Sequence, residues 1–126
     1  MSAARLRVLI VDDQADTARM MRVLLKGQGY EVRVEFDGEH ALRTAAEFSP
    51  RVVLLDLSLP GKSGLEVADE MRAMPSMAGA SLVAVTGQDS YRLPTPSPFD
   101  RHFLKPVDHD ALNSYLAGID PGEASI

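Results

Sequence analysis

Two short, almost uninterrupted apolar runs constrain the fold more than any other feature of this sequence. One covers Leu6 to Val11, interrupted only by Arg7, and the other covers Val52 to Leu55. Both are rich in β-branched residues and too short for an independent helix, which favours strands buried on both faces. Strands of this kind are typical of parallel sheets that are covered by helices.

Amphipathic segments separate the apolar runs. The predicted strands are Leu6–Val11, Val32–Phe36, Val52–Leu55, Ser81–Val85 and Arg101–Leu104. Apolar residues at helical spacing predict helices over about 14–28, around 41–46, around 65–71 (with the stem of Arg72 on its inner face) and around 112–119. Asp16 and Asp108 are plausible helix caps, and Asp37-Gly38 is a turn signal. This alternation predicts an α/β fold, a doubly wound parallel sheet with ligands at the carboxyl ends of its strands.

Length and composition narrow the class of protein. The chain has 126 residues, with 45% apolar and 25% charged residues, which predicts a single domain over 1–126. Its core is expected over about 5–118, followed by a flexible tail over 119–126. A net charge of −5 argues against nucleic-acid binding, and the absence of cysteine excludes disulfides and thiolate metal sites. No segment resembles a signal peptide or a membrane span, so we expect a cytoplasmic protein without membrane contact.

Polar residues follow four of the five predicted strands, where the strands end. They are Asp12, Asp13, Asp56, Thr86 and Lys105. Taken singly, each has an ordinary explanation, since aspartate often caps helices, threonine forms turns and lysine is usually solvated. Together they would place three carboxylates at one sheet edge, where a hard cation such as Mg²⁺ would relieve their repulsion. An aspartate can act as a phosphoryl nucleophile, and a lysine ammonium suits a phosphoryl oxygen, so the set predicts a phosphoaspartate site.

Four motifs in order, VLIVDD, VVLLDLSLPGKSG, LVAVTG and FLKP, resemble those of a response-regulator receiver domain. The resemblance spans about residues 5–118. It implies a flavodoxin-like fold with strand order 2-1-3-4-5 and a Lys105–Pro106 peptide bond that is cis. It also implies that Asp56 accepts a phosphoryl group from a sensor histidine kinase or a histidine phosphotransfer protein.

The resemblance also implies roles for the other residues of the predicted site. Asp13, Asp56 and the backbone carbonyl of Ser58 would hold Mg²⁺ directly, and Asp12 would hold it through water. Thr86 would move toward the phosphoryl group, and Lys105 would pair with it. Ser58 and Gln88 occupy positions that tune the lifetime of the phosphoryl group.

The sequence departs from the family pattern between the fourth and fifth strands. Residues 88–100 should contain a helix, but Pro94, Pro96 and Pro98 stand there, and each interior proline costs a helix about 3 kcal/mol. We therefore expect that helix to be lost or vestigial, replaced by an extended segment. His102 stands where the family usually has a tyrosine or phenylalanine switch residue, and is either a surface histidine or the switch itself.

These observations favour a phosphorylatable receiver that acts through an unknown downstream protein, and that is a phosphoacceptor and not an enzyme. An alternative is a phosphorylation-independent adaptor with a receiver fold, which the loss of a helix would favour. A small hydrolase using Asp56 lacks an evident general acid. A dinucleotide-binding protein is excluded because no glycine-rich loop follows the first strand.

Overall fold

The computed structural model describes residues 5–87 and 97–119, and within them the chain forms a five-stranded parallel sheet. The strands are β1 (Arg7–Val11), β2 (Glu31–Glu35), β3 (Val52–Asp56), β4 (Ser81–Thr86) and β5 (Arg101–Leu104). They lie side by side in the order β2-β1-β3-β4-β5, with every neighbouring pair parallel. The predicted flavodoxin-like topology is therefore confirmed.

Four α-helices occur in the described part of the chain. They are α1 (Ala15–Gly27), α2 (Gly38–Phe48), α3 (Gly64–Arg72) and α4 (His109–Ala117), with a short 3₁₀ helix at Pro75–Met77. Asp108 caps α4 as predicted, since its carboxylate accepts hydrogen bonds from the backbone N–H groups of Asp110 and Ala111. None of these helices is long and apolar enough to cross a bilayer.

The helices divide the core into two layers, one on each face of the sheet. On one face, Ile10, Leu54 and Val83 pack with residues of α1 and α4. On the other face, Leu9, Val53 and Leu82 pack with residues of α2 and α3. Successive side chains of a strand point to opposite faces, so the continuously apolar strands supply both layers at once.

Two local predictions were wrong. Asp16 does not cap α1: the residue before the helix is Gln14, which makes no side-chain cap, and Asp16 lies in the first turn. Phe36 lies beyond β2 and is partly exposed, because the strand ends at Glu35 and Asp37 then caps α2. The Asp37-Gly38 turn signal thus marked the beginning of a helix, whose first N–H groups need a side-chain acceptor.

The predicted loss of a helix between β4 and β5 concerns residues that are only partly described. Residues 88–96, with Gln88, Pro94 and Pro96, lie outside the described residues, as does the predicted tail beyond 119. Residues 97–100, which lead into β5, contain no helix. The Lys105–Pro106 peptide bond that follows β5 is cis, as the resemblance implies.

Candidate functional site

The carboxyl edge of the sheet gathers the residues that the sequence singled out. β1 leads into Asp12 and Asp13, β3 ends on Asp56, β4 ends on Thr86, and β5 leads into Lys105. Asp12, Asp56 and Thr86 are buried, whereas Asp13 is exposed. β2, at the border of the sheet, contributes no side chain to the predicted set, as expected.

Lys105 links two of the buried carboxylates. Its Nζ lies 3.0 Å from Oδ2 of Asp56 and 3.1 Å from Oδ2 of Asp12. Its own backbone N–H donates to the carbonyl of Thr86 at 2.8 Å, which continues the β4–β5 ladder by one residue. The lysine is thus fixed both through its backbone and through its charged end.

Burial and charge oppose each other in this cluster. Burial raises the pKa of Asp12, and the nearby charge of Asp56 adds to the rise, although hydrogen bonds from the Gln14 backbone and Lys105 counteract part of it. Burial would lower the pKa of Lys105, but its hydrogen bonds to Asp56 and Asp12 outweigh that effect and leave the pKa raised. Lys105 therefore stays charged. For Asp12, the hydrogen bonds that its carboxylate accepts do not fully offset the effect of burial on its pKa.

The donor set fits a hard divalent cation. One carboxylate oxygen each from Asp12, Asp13 and Asp56 can be chosen so that all three lie within 4.8 Å of one another. Three carboxylates against one ammonium leave an excess of negative charge, which a divalent cation would offset. Carboxylate oxygens with room for water are the ligands that Mg²⁺ prefers.

Backbone groups orient the two buried carboxylates. Oδ1 of Asp56 accepts a hydrogen bond from the Ser58 N–H at 2.9 Å, and Oδ1 of Asp12 accepts one from the Gln14 N–H at 2.9 Å. In each aspartate this leaves Oδ2 turned toward Lys105. Ser58 thus lies beside the site, with its backbone in contact with Asp56 and its side chain exposed.

Gly64, the last residue of the VVLLDLSLPGKSG motif, also shapes the site. A Cβ at this position would lie 2.5 Å from the Asp56 carbonyl oxygen and 2.8 Å from Cα of Leu57. Only a residue without a side chain lets the first turn of α3 approach the end of β3 so closely. The capping box of Ser63 and Glu66 is a sequence signal for the beginning of α3, but it does not reveal that this turn lies against β3.

A cavity of about 490 Å³ opens beside the carboxylates. Asp12, Asp56 and Lys105 line its polar side, and Met20 of α1 and Pro106 belong to its largely apolar wall. Of α1, Asp16, Thr17, Met20 and Met21 line this cavity. Three large apolar side chains of this helix, Met20, Val23 and Leu24, are exposed.

His102 lies on β5 opposite Ala84 of β4 and is partly buried. Its Nε2 is buried and, within the described part of the chain, makes no hydrogen bond. This position is more enclosed than that of an ordinary surface histidine. Its proposed role as a switch stays a prediction.

Comparison with known proteins identifies the family. Residues 8–117 match the response regulator receiver domain family. The DNA-binding response regulator MtrA of Mycobacterium tuberculosis is 38% identical over 106 residues, which are 84% of this chain and 46% of MtrA. The chain thus spans about half the length of this curated relative.

Solved structures agree with that assignment. A CheY-like receiver domain from Methylobacillus flagellatus superimposes with a TM-score of 0.85 at 29% identity, covering 93% of this chain and all of that one. The response regulator TrrA of Thermotoga maritima, in complex with Mg²⁺ and BeF, has a TM-score of 0.79 at 31% identity, covering 88% and 96% of the two chains. The structure of TrrA in complex with the histidine kinase ThkA has a TM-score of 0.77 at 31% identity, covering 88% of this chain and 95% of that one. The chain therefore belongs to the response regulator receiver domain family.

Proposed function

We propose that this chain is a phosphorylatable receiver in which Asp56 accepts a phosphoryl group from a phosphohistidine. The donor would be a sensor histidine kinase or a histidine phosphotransfer protein. The observation that carries the proposal is the Asp56 carboxylate, which is buried, accepts a hydrogen bond from the Ser58 N–H, is paired with Lys105 and lines a cavity. A carboxylate presented in this way can attack phosphorus without first being moved.

The proposed reaction transfers a phosphoryl group from an imidazole nitrogen of the donor to a carboxylate oxygen of Asp56. A carboxylate oxygen of Asp56 forms a bond to phosphorus while the phosphorus–nitrogen bond of the donor breaks, and the electron pair of that bond returns to the imidazole. Lys105 would exchange its carboxylate contact for one with a phosphoryl oxygen, which offsets the charge that the group brings. Thr86, buried at the end of the neighbouring strand, would contribute its hydroxyl to another phosphoryl oxygen.

Mg²⁺ is the cofactor that this site fits. Asp13 and Asp56 would hold it directly together with the Ser58 carbonyl, and Asp12 would hold it through water. When bound, the cation supplies positive charge to the phosphoryl oxygens. Support comes from the three converging carboxylates and from TrrA, whose structure contains Mg²⁺ and BeF.

The donor protein would dock on α1. The cavity that reaches Asp56 is bounded by α1 and by the loop after β5, so a donor imidazole has to approach over these elements. Met20, Val23 and Leu24 offer exposed apolar area beside that path. Apolar area that is free on a surface is typical of protein contacts.

The same assignment has consequences for the whole chain. We propose that residues 1–126 form a single cytoplasmic domain, which is a phosphoacceptor and not an enzyme. Its downstream contact would be a protein, since the net charge of −5 does not suit a nucleic acid or an anionic membrane. The phosphorylation-independent adaptor is not favoured, because such a protein has no need of the buried acidic cluster around Lys105.

Phosphorylation by a small phosphodonor with Mg²⁺ tests the proposal. We expect the wild type to be labelled and Asp56→Asn to lose the label entirely, because an amide cannot form the acyl phosphate. Asp69→Asn is the matched control: it makes the same change at an exposed position of α3 and should be labelled like the wild type. Label that persists in Asp56→Asn would refute the assignment of the phosphoacceptor, and an unlabelled wild type would favour the adaptor.

A further inference from the structure

The segment that leads into β5 is held by one arginine of α3. Nε of Arg72 donates to the carbonyl of Pro98 at 2.9 Å, and Nη1 donates to the carbonyl of Ala80 at 2.8 Å. Nη2 donates to Oδ2 of Asp100 at 2.6 Å. All three donor nitrogens of the guanidinium are thus engaged, by one acceptor that precedes β4 and two that lie just before β5.

Asp100 in turn is paired with the beginning of β4 through two groups. Its backbone N–H donates to the Leu82 carbonyl at 2.7 Å, and its Oδ2 accepts from the Leu82 N–H at 2.9 Å. The same carboxylate oxygen therefore joins Arg72 to the β4 backbone. This arrangement fixes which residue of β5 lies opposite which residue of β4.

The register of β5 relative to β4 depends on this pairing at the beginning of β5. β5 has four residues, lies at the sheet edge and has only Phe103 fully buried. Its connection to β4 is too long to set the register through a tight turn. A slip by one residue would move Lys105 by about 3.3 Å and turn every β5 side chain to the opposite face.

We propose that Arg72 is a positioning residue for Lys105, which acts through Asp100 and the register of β5. The inference rests on the proposed function, in which Lys105 serves phosphoryl transfer. The exposed ion pair itself contributes little stability, because half of the Asp100 side chain is open to solvent. The positioning effect comes from the three hydrogen bonds that one planar guanidinium donates in fixed directions, and a lysine ammonium cannot reproduce them.

The first test observes Lys105 directly, without any phosphorylation. In wild-type protein, the NMR signals of the Lys105 ε-methylene group should differ from those of solvated lysines, since Nζ is held by two carboxylates. We expect Arg72→Ala and Asp100→Asn to shift these signals toward the solvated position, and Arg72→Lys to shift them partway. Arg22→Ala, the matched control at an exposed site of α1, should leave them unchanged. Wild-type Lys105 signals in a folded Arg72→Ala protein would overturn the inference.

The second test is a double-mutant cycle on the rate of labelling by a small phosphodonor. Arg72→Ala should lower the rate about tenfold, because displacement of a reacting group by 1 Å can cost on the order of 100-fold. In a Lys105→Ala background the same substitution should have no further effect. An equal loss in both backgrounds would show a general structural role and refute positioning. If the wild type were not labelled, the proposed function would fail, while the Lys105 signals would still decide this inference.

Discussion

β3 ends at a residue of the site and β5 leads into one, but the sheet holds the two strands in different ways. β3 lies between β1 and β4, and all five of its residues are buried. β5 has one neighbour, β4, and its Arg101 and Leu104 are exposed. Asp56, the proposed phosphoryl acceptor, therefore stands on a strand that is fixed by packing on both faces. Lys105 directly follows a strand that relies on hydrogen bonds at its two ends.

Truncation of one leucine on each strand tests this difference between β3 and β5, and we expect it to change the free energy of unfolding more than the other substitutions below. Leu55 precedes Asp56 and is fully buried, whereas Leu104 precedes Lys105 and is 46% exposed. Leu55→Ala should cost about 3 kcal/mol of unfolding free energy through lost burial and a cavity, and Leu104→Ala less than about 1 kcal/mol. Urea denaturation measures both. Equal losses would mean that β5 is packed as firmly as β3, which contradicts the comparison.

A pair of glycines sharpens the account of how the end of β3 is fixed. Gly64→Ala should destabilise the protein by about 1–3 kcal/mol, because the new methyl group would meet the backbone of Asp56 and Leu57, which cannot yield easily. Gly27→Ala, at the last residue of α1, meets nothing within 4 Å and should stabilise by up to about 1 kcal/mol. Thermal or urea unfolding of both variants compares them.

The rate at which a small phosphodonor labels these two glycine variants tests whether the contact of α3 with β3 also affects Asp56. Gly64→Ala should be labelled more slowly than the wild type, whereas Gly27→Ala should retain the wild-type rate. A wild-type rate in Gly64→Ala would show that the contact of α3 with the end of β3 does not position Asp56.

The pH dependence of the unfolding free energy should change least, and it concerns Asp12. The pKa of Asp12 is raised by burial, so the native state binds its proton more tightly than the unfolded chain does. Stability from this group is therefore present below the ordinary pKa and declines as pH rises through the raised native value. Asp12→Asn should remove that decline in urea titrations from pH 4 to 7 without Mg²⁺.

Mg²⁺ provides the internal control for the pH experiment. At neutral pH, added Mg²⁺ should raise the stability of the wild type, because binding to the native state alone shifts the unfolding equilibrium. The increase should shrink toward pH 4 as the carboxylates become protonated. A decline with pH that persists in Asp12→Asn would assign the effect to another group.

Much of the fold could be predicted because its signals are local. Continuous apolar runs identified β3 and β1, and the strand bounds of β5 were confirmed without change. Errors arose where one residue type serves two purposes: Asp16 looks like a cap but lies within the first turn of α1. Phe36 continued the alternation of β2 but fell beyond its end. Such ends are decided by which backbone groups find partners, and periodicity does not contain that information.

The amino-acid sequence was sufficient to predict which side chains lie at the site, because the ends of parallel strands share one edge and the motifs follow those ends. It therefore groups Asp12, Asp56, Thr86 and Lys105. How these side chains are held depends on packing between elements, which the sequence does not reveal. The contacts of Gly64 with β3, and of Arg72 with Pro98, Ala80 and Asp100, join residues that are distant in the chain. Neither depends on a local pattern, since each arises where separate elements pack against each other.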